Sequence, residues 1–191
     1  MKRKIYLFRH GTTTDNANGV FSGWRDVGLN EKGKRDAEIV ALRLKGTKID
    51  VFFHSGMKRS KQTLNEVLKF HKGKREITED ERIKERSYGN LQGKTHLEIV
   101  KKFGPEKYDK WHRSYDVRPP GGESMRDVEK RVLSFIGYLL KMMGDDKVNV
   151  AISAHGNSMR AFRKCFEGLT ISEMIGLYND YEKVYEYEVS V

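Results

Sequence analysis

Four stretches of the chain have the hydrophobic pattern of β-strands. Three of them are short runs rich in Val, Ile or Phe, which are too short for a helix and therefore predict buried strands. The fourth alternates between polar and apolar residues and predicts a last strand. The predicted strands cover residues 4–8, 49–54, 149–153 and 182–191.

Amphipathic stretches between the strands predict helices. They cover residues 30–45, 57–70 and 124–143. Asn30 is a good N-cap for the first helix, and Gly46 is placed to end it. Ser124 begins the long helix with a capping-box-like pattern, and Gly144 is expected to end it. Strands that alternate with helices of this length indicate an α/β fold, in which a mostly parallel sheet is covered on both faces.

Residues 85–122 do not fit this alternation. They contain short helical stretches, glycines, prolines and many polar residues, and they end in a Pro-Pro-Gly-Gly turn at 119–122. We expect this segment to be a helical and loop insertion that lies over the sheet and the active site. A length of 191 residues suits one domain better than two, so residues 1–191 are expected to form a single domain.

The composition favours a soluble protein with an anionic partner. Charged residues make up 34% of the chain and the net charge is +10. The charge alone does not choose between a nucleic acid and a small phosphate ester, but no nucleic-acid-binding motif is found. Apolar runs are far shorter than the roughly 20 residues of a membrane span, and the N-terminus does not resemble a signal peptide. Cys165 is the single cysteine, which fits a cytoplasmic location, and we expect it in the core.

Two of the predicted strands end in a His-Gly pair. An Arg-His-Gly tripeptide at 9–11 follows the first strand, and His-Gly-Asn at 155–157 follows the third. Ligands of open α/β sheets bind at the carboxyl ends of the strands, so both histidines are expected at one edge. Gly11 lets the backbone pass close to a ligand, and residues 12–16 predict a helix start that can bind phosphate.

These residue types suit phosphoryl transfer. His10 is the candidate nucleophile, because an uncharged imidazole can attack phosphorus while its second nitrogen holds a proton against a backbone carbonyl. Arg9 and Arg59 are candidates for neutralising the phosphoryl charge, since a guanidinium matches phosphate oxygens. His155 could donate a hydrogen bond to the transferring group. Glu85 is the candidate proton donor and acceptor for the ester oxygen.

No catalytic metal and no nucleotide cofactor are expected. The six histidines have no zinc-like spacing, and residues 9–16 lack the P-loop pattern of nucleotide-binding proteins. The tyrosines at 178, 181, 185 and 187 are interpreted as packing or as a surface for pairing with another chain.

The ordered set of motifs resembles the histidine phosphatase superfamily, and within it the phosphoglycerate mutase branch that depends on 2,3-bisphosphoglycerate. A bare Arg-His-Gly is a weak signal, but the whole set is far more specific. It comprises Arg-His-Gly at 9–11 with Asn16, Ser-Gly-Trp at 22–24, Met-Lys-Arg-Ser at 57–60, the segments 85–93 and 111–116, and His-Gly-Asn-Ser at 155–158. The similarity covers residues 6 to about 169, which is most of the chain.

This resemblance implies a three-layer α/β/α sandwich and a role for each matching residue. It implies that His10 is phosphorylated and that Glu85 donates and accepts the proton. The residues that it implies around the phosphoryl group are Arg9, Asn16, Arg59 and His155. The positions that match substrate-binding or phosphate-binding residues are Ser22, Gly23, Arg86, Tyr88, His96, His112, Arg113, Gly156 and Asn157.

Mutases and phosphatases share the phosphohistidine and differ in the acceptor, which is a hydroxyl of bound phosphoglycerate or water. Most motifs look like the mutases, but His96 stands where they generally carry a lysine, and His112 replaces the first of two adjacent arginines. A neutral His96 would grip a carboxylate less well, and a protonated one would partly substitute. The loop closed by residues 119–124 is shorter than in typical mutases, and we expect their mobile tail to be missing, which would favour entry of water.

We therefore expect a phosphoglycerate mutase that interconverts 3-phosphoglycerate and 2-phosphoglycerate in glycolysis and gluconeogenesis. Its priming phosphate donor would be 2,3-bisphosphoglycerate, and some phosphatase activity is expected beside it. A phosphatase of small phosphate esters with the same phosphohistidine is the alternative. A basic binding module that has lost catalysis is a remote third hypothesis, because the candidate catalytic residues are intact. The sequence leaves open whether the protein is a monomer or a homo-oligomer.

Overall fold

The computed structural model describes residues 2–73 and 75–191, within which lie five β-strands and eight α-helices. The strands are β1 (Lys2–Arg9), β2 (Val51–His54), β3 (Glu76–Glu79), β4 (Val150–Ala154) and β5 (Val184–Ser190). The helices are α1 (Thr14–Ala17), α2 (Glu31–Leu44), α3 (Lys58–Leu68), α4 (His96–Phe103), α5 (Pro105–Arg113), α6 (Met125–Asp146), α7 (Gly156–Glu167) and α8 (Ile171–Gly176).

The strands form one sheet in the order β3-β2-β4-β1-β5. Neighbouring strands pair in parallel except at one edge, where β5 runs antiparallel to β1. The four predicted strands are confirmed, with shifts of a few residues at their ends. The hydrophobic pattern does not predict β3, because its sequence Glu-Ile-Thr-Glu has one apolar residue and lies largely exposed at the other edge.

Alternate residues of the central strands point to opposite faces of the sheet, as the pleat requires. Ile5 and Leu7 lie in a core with α6 and α7, whereas Tyr6 and Phe8 lie in a second core with α2 and α3. Helices therefore cover both faces, and the fold is the expected three-layer α/β/α sandwich. Strands buried on both faces carry few polar residues, which explains why β1 and β4 are recognisable as apolar runs.

Side chains that cap helix ends fix where the main helices begin. The Asn30 side chain accepts a hydrogen bond from Gly33 N at 2.8 Å, as the N-cap prediction requires. Ser124 and Asp127 form a reciprocal capping box at the start of α6. Both helix starts are therefore confirmed at the residue expected.

Two predictions about helices are wrong. Helix α6 does not end at Gly144 but continues to Asp146, and Lys147 takes the left-handed conformation, with φ 57°, that ends it. Gly144 has no positive φ, so it remains an ordinary helical residue. Cys165 is exposed rather than in the core, because it lies at the C-terminal end of α7, beyond the residues that this helix buries.

The segment 85–122 lies at the carboxyl edge of the sheet and has a small core of its own. Phe21, Tyr88 and Ile99 belong to this core. Buried Arg86 anchors the segment, because its guanidinium donates hydrogen bonds to four backbone carbonyl oxygens at 2.6–3.3 Å. Those carbonyls belong to Trp111, His112, Val117 and Glu123.

Among the helices in the described part of the chain, none combines the length and the apolar character that crossing a membrane requires.

The backbone after His10 packs against the first turn of α2, with no room for a side chain at Gly33. A Cβ there would lie 1.9 Å from the carbonyl oxygen of Thr12. We expect Gly33→Ala to lower the free energy of unfolding by about 1–3 kcal/mol, the usual effect of overpacking.

Gly137, inside α6, provides the control, because no atom outside its own helical backbone lies within 4 Å of its would-be Cβ. Gly137→Ala should raise the free energy of unfolding by roughly 0.5–1 kcal/mol, because alanine favours the helix. Urea unfolding of both variants measures this, and equal effects would contradict the close packing at Gly33.

Candidate active site

Two histidines come together at the carboxyl edge of the sheet, as the strand-end motifs predict. Arg9 pairs with Ala154 across β1 and β4, and His10 N donates a hydrogen bond to Ala154 O at 3.0 Å. The next residue of each strand is a histidine, and the ring centroids of His10 and His155 are 4.9 Å apart. The two side chains are only 2% and 0% exposed, so a ligand that meets His10 does so in a largely dry site.

His10 has the features of a nucleophilic imidazole. Its Nδ1 lies 2.7 Å from the carbonyl oxygen of Gly11. Because a carbonyl can only accept, Nδ1 carries the proton and Nε2 carries the lone pair. Burial, Arg59 and Arg9, in that order, lower the pKa of His10 well below 6.5. The imidazole is therefore neutral at physiological pH, with one defined nitrogen available for attack.

His155 is held in the opposite tautomer. Arg59 Nε donates to its Nδ1 at 3.3 Å, so the proton lies on Nε2, which is 2.6 Å from Ser55 Oγ. Burial, with Arg59 and His10, lowers the pKa of His155 well below 6.5. Ser55 follows β2 directly, so three adjacent strand ends supply Ser55, His155 and His10 in a row. The predicted site residues do not include Ser55, although its place directly after a predicted strand indicates it.

Two arginines flank the histidines. Arg59, 1% exposed, donates to the carbonyl oxygens of Gly23 and Arg25 at 2.8 Å, which ties the loop after α1 to the site. Arg9 donates to the carbonyl oxygen of Asn179 at 3.0 Å, and its guanidinium carbon lies 3.9 Å from the ring centre of Tyr181. The positive charge beside His10 is therefore held in place before any ligand arrives.

Glu85 lies opposite these cations. Its Oε1 accepts hydrogen bonds from Arg86 N at 2.7 Å and from Asn157 N, at the start of α7, at 3.1 Å. Its Oε2 faces Gly156, where an added Cβ would lie 3.5 Å from both Oε2 and Arg9 Nη2. One carboxylate oxygen thus fixes the side chain, and the other stays available for proton transfer.

These groups open into a small cavity of about 180 Å³. This is below the roughly 300–1,000 Å³ of sites for drug-sized ligands and suits a small phosphate ester. The predicted site residues that line it are Arg9, His10, Asn16, Ser22, Gly23, Arg59, Glu85, Tyr88, His96, His112, Gly156 and Asn157. Asn16 also makes the capping box of α1, which confirms the helix start predicted in residues 12–16.

The far side of the cavity is aromatic and uncharged. His96 and His112 pack on Phe21, with ring centroids 4.1 and 5.6 Å away, and Tyr108 Oη lies 3.1 Å from His96 Nδ1. Burial lowers the pKa of His96, and burial with His96 and nearby arginines lowers the pKa of His112 to about 3. Of the two alternatives for His96, the lowered pKa favours the neutral imidazole, which would grip a carboxylate less well than a lysine.

Comparison with known proteins assigns this site to a family. The sequence model described as "Histidine phosphatase superfamily (branch 1)" matches residues 5–190. A 2,3-bisphosphoglycerate-dependent phosphoglycerate mutase of Brucella melitensis is 36% identical over 178 residues, which are 92% of this chain and 86% of that protein. The chain belongs to the histidine phosphatase superfamily.

Solved structures agree with this assignment. Bacillus stearothermophilus YhfR superposes with a TM-score of 0.85 at 27% identity, covering 96% of this chain and 90% of that one. A putative alpha-ribazole-5'-P phosphatase from Escherichia coli has the same TM-score at 20% identity, covering 98% and 91%. The second likeness shows a shared fold only.

Three of the predicted site residues lie off the cavity surface. His155 lies behind His10, in contact with its ring. The Arg86 guanidinium donates hydrogen bonds to backbone carbonyls of the 85–122 segment. The Arg113 side chain is 69% exposed, and its Nε lies 3.9 Å from Asp109 Oδ1. The structure therefore does not bring the guanidinium groups of Arg86 and Arg113 to the site.

The cavity also contains residues that sequence reasoning missed. Arg160 lies on its wall one turn after Asn157 on α7, so helical spacing could have indicated it. Tyr178 and Asn179 line the cavity, and Tyr181 packs on Arg9, because the chain after α8 folds back over the site. The interpretation of Tyr178 and Tyr181 as packing or pairing residues is therefore incomplete. In residues 2–73 and 75–191 no group of three or more His, Cys, Asp or Glu side chains could hold a metal ion.

The neutral state of the buried histidines should make stability depend on pH. In the unfolded chain each titrates near 6.5, whereas the folded pKa of His10 and His155 is well below 6.5. Their contribution to stability is fully present above pH 6.5 and is lost as the pH falls, because the unfolded state then binds more protons.

We expect the free energy of unfolding to decrease from pH 7 to pH 5. His10→Gln should reduce this slope by up to about 1.4 kcal/mol per pH unit. Urea unfolding at several pH values tests this with exposed Lys130→Gln as control. An unchanged slope in His10→Gln would contradict the assignment.

Proposed function

We propose that the protein is a 2,3-bisphosphoglycerate-dependent phosphoglycerate mutase that carries the phosphoryl group on Nε2 of His10. The observation that carries the proposal is the state of His10, which is neutral, has its proton fixed on Nδ1 by Gly11, and is close enough to Arg9 and Arg59 for both to lower its pKa. The enzyme would interconvert 3-phosphoglycerate and 2-phosphoglycerate in glycolysis and gluconeogenesis. We assign the reaction to the cytoplasm.

In the first half-reaction, the Nε2 lone pair of His10 forms a bond to phosphorus as the bond to the ester oxygen breaks. 2,3-Bisphosphoglycerate supplies the first phosphoryl group. Glu85, as the carboxylic acid, gives its proton to the leaving oxygen through the side of the carboxyl that faces Gly156. In the second half-reaction, the other hydroxyl of bound phosphoglycerate attacks phosphorus and gives its proton to the Glu85 carboxylate, and the nitrogen–phosphorus bond breaks.

The surrounding residues suit a loose phosphoryl-transfer transition state, in which positioning and charge do most of the catalysis. Arg9 and Arg59 lie close enough to His10 to lower its pKa, so they can also offset charge on phosphoryl oxygens there. Asn16 lines the same wall and can donate from its amide. His155, packed on the His10 ring, holds that ring in position from behind. The cations and the size of the cavity fit a small bisphosphate.

Similarity along the whole chain favours the mutase over a general phosphatase. The chain is 36% identical to the Brucella melitensis mutase and covers 86% of its length, which supports this activity. A phosphatase of small phosphate esters remains the second candidate, and one observation favours it. His96 and His112 stand at positions where mutases generally carry cationic residues. Both are uncharged here and would hold a carboxylate weakly.

Dependence on the primer separates the two candidates. We expect 3-phosphoglycerate to be isomerised only when a trace of 2,3-bisphosphoglycerate is present, because His10 must first be phosphorylated. Acid-labile phosphate should appear on His10 in the wild type, and His10→Ala should lose both the label and the activity. Chromatography of the phosphoglycerates and phosphate release are measured together. Inorganic phosphate without any 2-phosphoglycerate would reject the mutase in favour of the phosphatase.

The role of Glu85 can be tested with the leaving group. Glu85→Gln should slow isomerisation by about 10²- to 10⁴-fold, the usual contribution of general acid–base catalysis. Single-turnover release of nitrophenol from nitrophenyl phosphate should fall much less, because nitrophenolate leaves without a proton. Stopped-flow absorbance measures this step. An equal loss with both substrates would show that Glu85 only maintains the structure of the site.

A further inference from the structure

The cavity has a third cation that the phosphoryl site does not use. Of the described residues on its surface, three carry a permanent positive charge, namely Arg9, Arg59 and Arg160. Arg9 and Arg59 contribute directly to the electrostatics of His10, and Arg160 is not among the groups that shift the His10 pKa. Arg160 instead interacts with Arg9 on one side and with His112 on the other. It therefore lies between the phosphoryl end and the aromatic end of the cavity.

The Arg160 side chain is held rigidly. Its Nε donates to Leu177 O at 3.0 Å, and its Nη1 donates to Asn157 Oδ1 at 3.1 Å. Within the described chain, Nη2 has no hydrogen-bond partner, although the residue lines the cavity. Two of its three nitrogens thus fix the direction of the third, which is the arrangement that preorganises an arginine for an anion.

Arg160 has no direct salt bridge in the described chain. No carboxylate of residues 2–73 and 75–191 lies within 4.0 Å of its guanidinium, and burial lowers its pKa, an effect that Tyr88 and Glu85 partly offset from a greater distance. An anion supplied by a ligand in direct contact would further offset the cost of burying this charge. His96 and His112 are uncharged, Arg86 donates to backbone carbonyls and Arg113 is largely exposed, so Arg160 is the permanent cation on the described cavity surface that lies nearest its far end.

We propose that Arg160 binds the carboxylate of the phosphoglycerate while Arg9 and Arg59 hold the phosphoryl group. This inference rests on the proposed function for the identity of the substrate. It makes Arg160 the residue that distinguishes a phosphate ester with a second anionic group from one without. Recognition of the carboxylate would thereby come from α7, the helix that also fixes Glu85 through Asn157 N.

The test compares two substrates that differ only in that group. 3-Phosphoglycerate has a carboxylate where glycerol 3-phosphate has a hydroxymethyl. We expect the wild type to bind 3-phosphoglycerate more tightly than glycerol 3-phosphate at equilibrium, measured by isothermal titration calorimetry without the primer. Arg160→Gln should raise the half-saturating concentration of 3-phosphoglycerate by about 10- to 100-fold, the range for a charge-assisted hydrogen bond. Its value for glycerol 3-phosphate should not change. Arg160→Lys should recover part of the preference, and Lys130→Gln, which removes the same charge far from the cavity, should keep all of it.

The outcomes separate this proposal from the proposed function. Equal weakening toward both substrates in Arg160→Gln would mean that Arg160 only supports the loop at Leu177, and would overturn the proposal. A wild type without preference for the carboxylate would overturn it as well. If 3-phosphoglycerate is hydrolysed and never isomerised, the mutase assignment fails, but the ratio between the two substrates still decides the role of Arg160.

Discussion

The parallel register between β1 and β4 is the constraint on which the site depends. Arg9 is opposite Ala154, so the next residues along both strands, His10 and His155, must lie side by side. Side chains alternate between the faces of a strand, so a slip of one residue would move a whole set of core residues to the wrong face. The two hydrophobic cores therefore enforce the contact between the histidines. The pairing of β2 with β4 extends the same row to Ser55.

This row of strand ends brings together groups that would repel one another if all of them carried positive charge. Two imidazoles and the Arg59 guanidinium share a space that is nearly closed to water. The repulsion is avoided because the imidazoles remain neutral. The buried Arg59 guanidinium is stabilised by donating hydrogen bonds to two backbone carbonyls and to His155. A neutral His10 is also what attack on phosphorus requires. The burial and positive charge that disfavour protonated histidines thus also keep His10 in the neutral form that attacks. Active sites often show such a link between stability and function.

Local patterns predicted what local physics decides. The apolar runs of β1 and β4, the caps at Asn30 and Ser124, and the strand-end His-Gly pairs all follow from sequence spacing, and they placed both histidines correctly. The rest depends on long-range contacts. The polar edge strand β3 forms because β2 offers it hydrogen bonds, not because of its own residues. Likewise, the sequence alone does not distinguish Arg86, whose guanidinium is hydrogen-bonded to backbone carbonyls, from Arg160, which lines the cavity.

That difference between arginines separates what the 85–122 segment contributes to the site from what the elements packed on the sheet contribute. Arg86 satisfies carbonyls of the segment from within, and His96 and His112 stack with Phe21 instead of carrying charge. Apart from the carboxyl of Glu85, the segment contributes shape to the cavity and shields it from water, whereas every permanent cation on the described cavity surface belongs to β1, α3 or α7. Elements that pack against the sheet are held more rigidly than a loop-rich insertion. Charge that must meet a phosphoryl group at a fixed distance is best placed on such elements, and the part of the segment beyond Glu85 can then control the access of water without moving that charge.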